Sequence, residues 1–178
     1  MSNLLLAPLF KHAPENYCCP FCQIVQRMEN PADSSRLSDI VYQDKLVTAL
    51  VASHQYPRNA PNIIVVPNAH YENIFDLPPE LGSDIYRVAQ QIAFALKRAY
   101  ACDGISTRQH NEPTGSQDVW HFHLHVTPRF KNDGFYKNFY DKFLMTAEQR
   151  AAHAARVKKF LASPGASADL YDGKEFGV

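Results

Sequence analysis

The sequence predicts an α+β fold: an antiparallel β-sheet of about five strands with one long helix packed on it and a C-terminal helix. Three observations carry this reading. Short β-branched runs follow one another with turn signals between them, the pattern of hairpins. Residues 78–100 place apolar side chains at helical spacing over a long, uninterrupted stretch. The order of elements is strands, helix, strands, helix, which suits helices laid on an antiparallel sheet.

The elements follow in chain order. Residues 1–18 read as an irregular arm, 19–129 as the core that bears the motifs, and 130–178 as a C-terminal extension with its own helix. The 178 residues fit one ordinary domain, and 46% hydrophobic residues can bury a real core. Residues 19–28 read as a short helix behind a Cys-x-x-Cys turn. Residues 30–38 are rich in Pro, Ser and Asp and read as loop. Ile40–Gln43 and Val47–Val51 are strands joined by a turn at Asp44 and Lys45. Residues 53–60 form a polar loop. Residues 62–66 are an apolar β-branched strand stopped by Pro67. In the long helix, Pro78 and Pro79 suit the first turn, and Leu81, Ile85, Val88, Ile92, Ala95 and Leu96 share one face. Gly104 permits a turn before a strand at 105–110 and a loop at 111–116. Residues 119–127 are a second clear strand, stopped by Pro128. The last helix, 146–161, has Thr146 as its N-cap and ends before Ser163, Pro164 and Gly165. The tail beyond is polar with scattered aromatics.

Charge and cysteine content narrow the function. Eighteen basic residues balance eighteen acidic ones, which argues against a general nucleic-acid or membrane binder. No apolar run approaches a membrane span. The stretch 4–10 is apolar but short, interrupted by Pro8 and without a basic start, unlike a secretory signal. Among the cysteines, Cys18 and Cys19 are adjacent, which does not suggest a disulfide framework. Cys19 and Cys22 in Cys-x-x-Cys spacing suit metal or redox chemistry. The expected location is the cytoplasm.

The informative segment runs from Gly115 to Arg129. Within it His121, His123 and His125 alternate with Phe122, Leu124 and Val126. Side chains alternate faces along a strand, so the histidines share one face and the apolar residues pack on the core. Residues two apart lie roughly 6.6 Å apart, from about 3.3 Å of rise per residue. Three neutral imidazoles in a row can bind a metal or serve phosphoryl chemistry. An imidazole nitrogen is a nucleophile without negative charge, so it approaches a phosphate without repulsion and forms a labile phosphorus–nitrogen bond. Its neutral form is well populated near pH 7, with an ordinary pKa of about 6.5.

This run resembles the His-x-His-x-His signature of the histidine triad (HIT) family. Asn111, the Gly115 and Gln117 of the approach loop, Pro128 and Arg129 fit the same pattern. So do the 63–67 strand and the stretch from His70 to Leu77. The resemblance covers about residues 19–129. It implies a HIT-like α+β fold, usually a symmetric homodimer, and a small-molecule nucleotide substrate. By resemblance His123 is the nucleophile that forms a nucleotidyl-histidine. His125 contacts the phosphate oxygens and His121 supports the orientation of His123. Asn111 and Gln117 hydrogen-bond the phosphates or the bridging atom, and the Gly115–Ser116 loop offers backbone amides. Some bacterial relatives also carry a zinc knuckle. The corresponding ligands here are Cys19, Cys22, His70 and His121, a donor set suited to structural zinc.

The chain departs from the family pattern in three places. Relatives commonly carry an Asp after the second strand that grips the ribose hydroxyls. Here the stretch 49–53 has no carboxylate, and Ser53 and His54 are the polar groups nearby. Asn62, counted with the substrate-binding residues, stands where many relatives have His. Asp118 falls where relatives often have Ser or Thr; it either points away from the phosphate or acts on the leaving group.

Other features have plainer readings. Arg58, Arg108 and Arg129 are the basic side chains that could pair with a phosphate, with surface solvation the reading for Arg58. Trp120 points away from the histidines and packs. Tyr42, Tyr56 and the aromatic patch Phe130, Phe135, Tyr136, Phe139 and Tyr140 could touch a base or a second subunit, with core or interface the commoner reading. Cys18 and Cys102 have no evident partner. The leading function is a nucleotide hydrolase or nucleotidyl transferase acting at the α-phosphate of a nucleoside phosphoramidate or dinucleoside polyphosphate. A nucleotide-binding regulator with weak or no catalysis is the alternative, and a metalloenzyme with an all-histidine site is a third.

Overall fold

The β-rich runs pair as the sequence predicts. The computed structural model describes residues 10–30, 34–138 and 140–162. Most of the apolar stretch 4–10, part of the 30–38 loop, Phe139 of the aromatic patch and the tail from Ser163 lie outside the described residues. The strands are β1 (Ile40–Gln43), β2 (Val47–Val51), β3 (His54–Gln55), β4 (Ile63–Pro67), β5 (Gly104–Gln109), β6 (Leu124–Arg129) and β7 (Phe143–Leu144). The helices are α1 (Pro20–Val25), α2 (Pro79–Tyr100) and α3 (Ala147–Leu161). Five strands form an antiparallel sheet in the order β1-β2-β4-β6-β5, and β3 pairs with β7 in a separate ribbon.

Local chemistry explains most element ends. In the β1–β2 turn, Asp44 Oδ1 accepts from the amides of Leu46 and Val47, both at 2.8 Å, the usual work of Asp in a turn. Helix α2 opens with Pro79 at its first position, where a missing N–H costs nothing, and closes on Ala101 with φ +49°. In α3, Thr146 Oγ1 accepts from the Gln149 amide while Gln149 Oε1 accepts from the Thr146 amide, a reciprocal cap.

Every residue of β2 and β4 is buried, because the sheet is covered on both faces. Val47, Ala49, Val51, Ile63 and Val65 meet the apolar face of α2. Leu50, Ala52, Ile64 and Val66 meet Phe21 and Ile24 of α1 on the other side. The second face is only partly covered, and the uncovered part holds the site. Among the described residues no helix is long and apolar enough to cross a membrane.

Several boundaries differ from expectation: β4 runs from Ile63 and includes Pro67, and β6 continues through Pro128 to Arg129 rather than stopping before it. Helix α1 is shorter than the 19–28 stretch. The 105–110 strand starts at Gly104 and ends at Gln109. The strand expected at 119–127 enters the ladder only at Leu124, opposite Val65. Beyond that register the partner strand reaches Pro67, which has no amide hydrogen to offer. The chain there takes other partners: His121 N donates to Val119 O at 2.8 Å, and Phe122 N to Tyr71 O at 2.6 Å. Alternation of faces persists, with Phe122 packed in the α2 cluster and His121 and His123 on the opposite side. The short ribbon β3–β7 gave no sequence signal.

Two polar networks hold the C-terminal extension against the sheet. Asp133 accepts from Arg129 Nε and Nη2 at 2.7 and 2.9 Å, from Asn59 Nδ2 at 2.7 Å, and from the amides of Phe130 and Phe135 at 3.0 Å. Arg150 of α3 reaches Asp39 Oδ2 at 3.0 Å, with both side chains buried, and also bonds the carbonyls of Met145 and Ser34.

The Asp133 network yields a stability prediction. The Arg129 guanidinium, with the donors around it, holds the Asp133 carboxyl well below the usual carboxylate range. A depressed folded-state pKa stabilises the fold above the unfolded value and is lost as pH falls through the folded one. Asp133→Ala, read by urea unfolding at pH 7, is expected to lose about 3 kcal/mol. The gap between wild type and variant is expected to close only below pH ~3.9, the ordinary Asp value. A gap that closes between pH 7 and 5 contradicts the network.

Candidate functional site

The site forms where β4 and β6 lie side by side, with Ile64 opposite His125. Pairing puts Ile64, His125 and Arg108 of β5 on one face. A cavity of about 560 Å³ opens on this face, within the range of small-ligand sites. His123 and His125 line it with Asn62, Ser116 and Gln117. His121 does not. Its ring turns toward Cys19 and Cys22, and Phe21 sits edge-on to both His121 and His123 at 5.7 and 5.4 Å.

Each triad histidine has one ring nitrogen fixed by a partner. His121 Nε2 donates to the Pro67 carbonyl at 2.9 Å, leaving Nδ1 as a lone pair beside the thiols. His123 Nδ1 donates to the His121 carbonyl at 2.8 Å, leaving Nε2 as a lone pair. Asn62 Oδ1 accepts from Thr127 Oγ1 at 2.9 Å, so Asn62 Nδ2 donates to His125 Nδ1 at 3.1 Å. His125 therefore carries its proton on Nε2. A backbone carbonyl can only accept, which settles the first two tautomers. Burial lowers the His123 pKa and puts that of His125 well below the ordinary value, with the neighbouring His123 adding to the latter. Burial likewise lowers His121 to about 4. The row is neutral near pH 7.

The remaining sequence candidates divide. Ser53 and His54 line the cavity beside Ala52, where the ribose carboxylate is missing. Asn111 is turned to the loop: its Oδ1 accepts from the amide of Ile74 at 2.8 Å and from Gln109 Nε2 at 2.9 Å. The Gln117 amide donates to the carbonyls of Glu72 and Val119, and its oxygen accepts from Glu112 N. Gly115 packs so tightly that a Cβ would lie 1.9 Å from the Asn111 oxygen. These three shape the loop that carries Ser116, whose φ of +69° turns the chain toward the cavity. Arg108 stacks over Tyr56 and Phe135 and Arg129 is tied to Asp133, so neither lines the cavity; Arg58 is exposed. Trp120 is half-buried against His12. Phe135 is core, while Tyr136 and Tyr140 are exposed.

Phe21, His110 and Lys142 are among the cavity residues missed in the sequence. Phe21 lies between the two knuckle cysteines and floors the site. His110 faces His125 at 6.0 Å and bonds the Gly115 carbonyl through Nδ1 at 2.8 Å; period-two counting from Arg108 could have found it. Lys142 comes from the extension and pairs with Asp118 at 3.1 Å, a contact no local pattern encodes. Asp118 does point at the site, with Oδ1 4.0 Å from His123 Nε2.

Beside the cavity, Cys19, Cys22, His70 and His121 bring one ligand atom each within 4.8 Å of one another. Cys19 Sγ and Cys22 Sγ lie 3.3 and 3.6 Å from His121 Nδ1, and Cys22 Sγ lies 3.3 Å from His70 Nδ1. Zinc bonds of ~2.0–2.3 Å in a tetrahedron need ligand separations of roughly this size. Burial pushes the Cys19 thiol up to about 12, so a thiolate there calls for a cation beside it. The Pro67 carbonyl on His121 Nε2 is the outer partner that metal-bound histidines ordinarily have. The residues fit zinc.

The chain resembles known proteins in sequence and in fold. A family model described as HIT domain matches residues 34–132. Protein hit of Bacillus subtilis is 30% identical over 125 residues, covering 70% of this chain and 79% of the relative. Adenylylsulfatase HINT3 of Arabidopsis thaliana is 24% identical over 115 residues, covering 65% of this chain and 54% of the relative. Among solved structures, a Zn-bound histidine triad family protein from Mycobacterium smegmatis aligns with TM-score 0.65 at 25% identity, covering 82% of this chain and 94% of that one.

The cluster is tested by its ligands. Protein purified without chelator is expected to hold one zinc per chain by elemental analysis. Cys22→Ser should lose the metal, and His123→Ala should keep it. Metal that depends on His123 and His125 instead would place the ion in the cavity.

Proposed function

Because the chain belongs to the HIT family, which includes nucleotide hydrolases, we propose that it is a nucleotide hydrolase or nucleotidyl transferase working through a covalent nucleotidyl-histidine at His123. The observation that carries the reading is the His123 tautomer. Donation from Nδ1 to the His121 carbonyl leaves the Nε2 lone pair toward the cavity, the form a nucleophile needs.

In this mechanism His123 Nε2 attacks the α-phosphorus. A phosphorus–nitrogen bond forms, the bond to the leaving group breaks, and the leaving atom takes the electron pair. His125 Nε2–H donates to a non-bridging oxygen as charge gathers there. Water or a second acceptor then attacks phosphorus and gives up its proton to solvent, and the electrons of the phosphorus–nitrogen bond return to Nε2. Ser116 at the loop turn holds a phosphate oxygen. Ser53 and His54 take the ribose hydroxyls in place of the family carboxylate. His121 positions His123 through its carbonyl and, with Cys19, Cys22 and His70, would hold a structural zinc.

The substrate is a nucleoside phosphoramidate or a dinucleoside polyphosphate; the adenylylsulfatase relative extends the range to other anhydrides at an α-phosphate. The regulator reading draws on Ala52 and on the Asp118 carboxylate near the nucleophile. The all-histidine metalloenzyme reading has little support, since His121 turns away from the cavity toward two thiols. The family further brings the proposals of a homodimer, a single domain and a cytoplasmic location.

Nucleoside monophosphate release from diadenosine polyphosphates, adenosine phosphoramidate and a lysine-linked adenylate tests the reading. Wild type is expected to turn over at least one of them, and His123→Ala to lose that activity by more than ~10³-fold, as for other nucleophile deletions. Undiminished release by the variant overturns the covalent step. Nucleotide binding without release from any substrate supports the regulator.

A further inference from the structure

The family match ends at residue 132, yet the cavity does not: Lys142 lines it together with His123 and Asp118. We propose that Lys142 sets leaving-group specificity, favouring substrates whose leaving group departs as a phosphate anion over those that release a neutral amine. The inference rests on the nucleotidyl-transfer reading above and names the substrate class within it.

Charge at the cavity is the first argument. Among the described residues that line it, Asp118 and Lys142 are the ones with a permanent charge. Asp118 Oδ1 lies 4.0 Å from His123 Nε2, and its Oδ2 accepts from Lys142 Nζ at 3.1 Å. Partial burial disfavours the Asp118 charge, but the Lys142 ammonium outweighs it and the carboxyl ends below its ordinary value. A bare carboxylate so close to the nucleophile would repel every phosphate that approached. Lys142 cancels that charge.

Position is the second argument. His123 is buried, with 4% of its side chain exposed, while Asp118 and Lys142 are 63% and 45% exposed. The pair thus stands between the nucleophile and the cavity mouth. In an in-line displacement the leaving group departs away from the attacking nitrogen, toward open space.

The third argument is that Lys142 is held in place. Its neighbour Phe143 pairs with Gln55 in the β3–β7 ribbon, and Met145 N donates to the Ser53 carbonyl at 3.0 Å. Gln55 is buried and bonds the Asn62 amide at 2.6 Å. The extension is therefore locked to the strand that orients His125.

The chemistry follows. When the α-phosphorus–oxygen bond of a polyphosphate breaks, the departing oxygen takes the electron pair and leaves as a phosphate anion, which the ammonium stabilises. An amine leaving group takes the electron pair together with a proton from water at the open side of the cavity and departs neutral, so no anion develops there for the Lys142 charge to stabilise.

The experiment compares kcat/KM for diadenosine tetraphosphate and for adenosine phosphoramidate. Lys142→Met is expected to lower the ratio of the two on the order of tenfold, less than the loss on deleting a fully buried donor. Lys142→Arg should keep the ratio. Lys142→Met also uncovers Asp118, which would slow both substrates. The double variant with Asp118→Asn should therefore recover the phosphoramidate and leave the polyphosphate impaired. An unchanged ratio in Lys142→Met overturns the proposal while leaving the covalent mechanism standing. A selective loss of the phosphoramidate in Asp118→Asn alone would also overturn it, since the carboxylate would then serve a cationic amine. If wild type turns over neither of these two substrates nor the lysine-linked adenylate, the nucleotidyl-transfer reading fails. Calorimetric titration with inorganic tripolyphosphate then decides the Lys142 site: weaker binding in Lys142→Met supports it and equal binding removes it.

Discussion

The hydrogen bond from His123 Nδ1 to the His121 carbonyl is the constraint on which the site depends. It fixes which nitrogen keeps a lone pair and where that nitrogen points. The bond in turn needs the backbone of residues 121–123 in place, and that backbone lies outside the regular ladder. It is held by the His121 side chain on Pro67 and by Phe122 N on Tyr71. Pro67 therefore ends a strand and supplies the acceptor that orients the first histidine. Three imidazoles two residues apart end in three environments because each has a different partner: a carbonyl, a carbonyl of its neighbour, and the Asn62 amide.

His121 couples two parts of the molecule. Its Nδ1 belongs to the Cys19, Cys22 and His70 cluster, and its carbonyl belongs to His123. Phe21, between the two cysteines, lies against both rings. Binding a metal at the cluster would fix the knuckle, the floor of the cavity and the carbonyl that sets the nucleophile, all through short covalent paths. This explains how a small structural site can matter to a neighbouring reaction without entering it.

Much of this was legible in the sequence. Alternation at 121–126 assigned faces correctly even where the ladder had not begun, because side-chain alternation needs only extended backbone. The two prolines at 78 and 79 and the apolar spacing beyond them located α2. Cys19 and Cys22 were readable from their spacing as a metal or redox pair, and the family resemblance added His70 and His121, which the structure brings beside them. Sequence reasoning failed where a contact joins distant segments with no local pattern. Lys142 pairs with Asp118, Arg150 with Asp39, and β3 with β7 in this way. Asn111 and Gln117 engage their side-chain amides with backbone groups within the protein, while Gln117 also lines the cavity. Asn62 shows the reverse, since a single amide replaces the family histidine and still delivers a donor to His125 Nδ1.

The central claim concerns protons on nitrogens, and it can be observed directly. Long-range proton–nitrogen correlation spectra of protein labelled with ¹⁵N-histidine, recorded near pH 7, report the tautomer of each ring. His123 is expected to be protonated on Nδ1 alone, and His121 and His125 on Nε2 alone. A spectrum with the His123 proton on Nε2, or with His123 doubly protonated, would remove the lone pair that the mechanism requires and contradict the account.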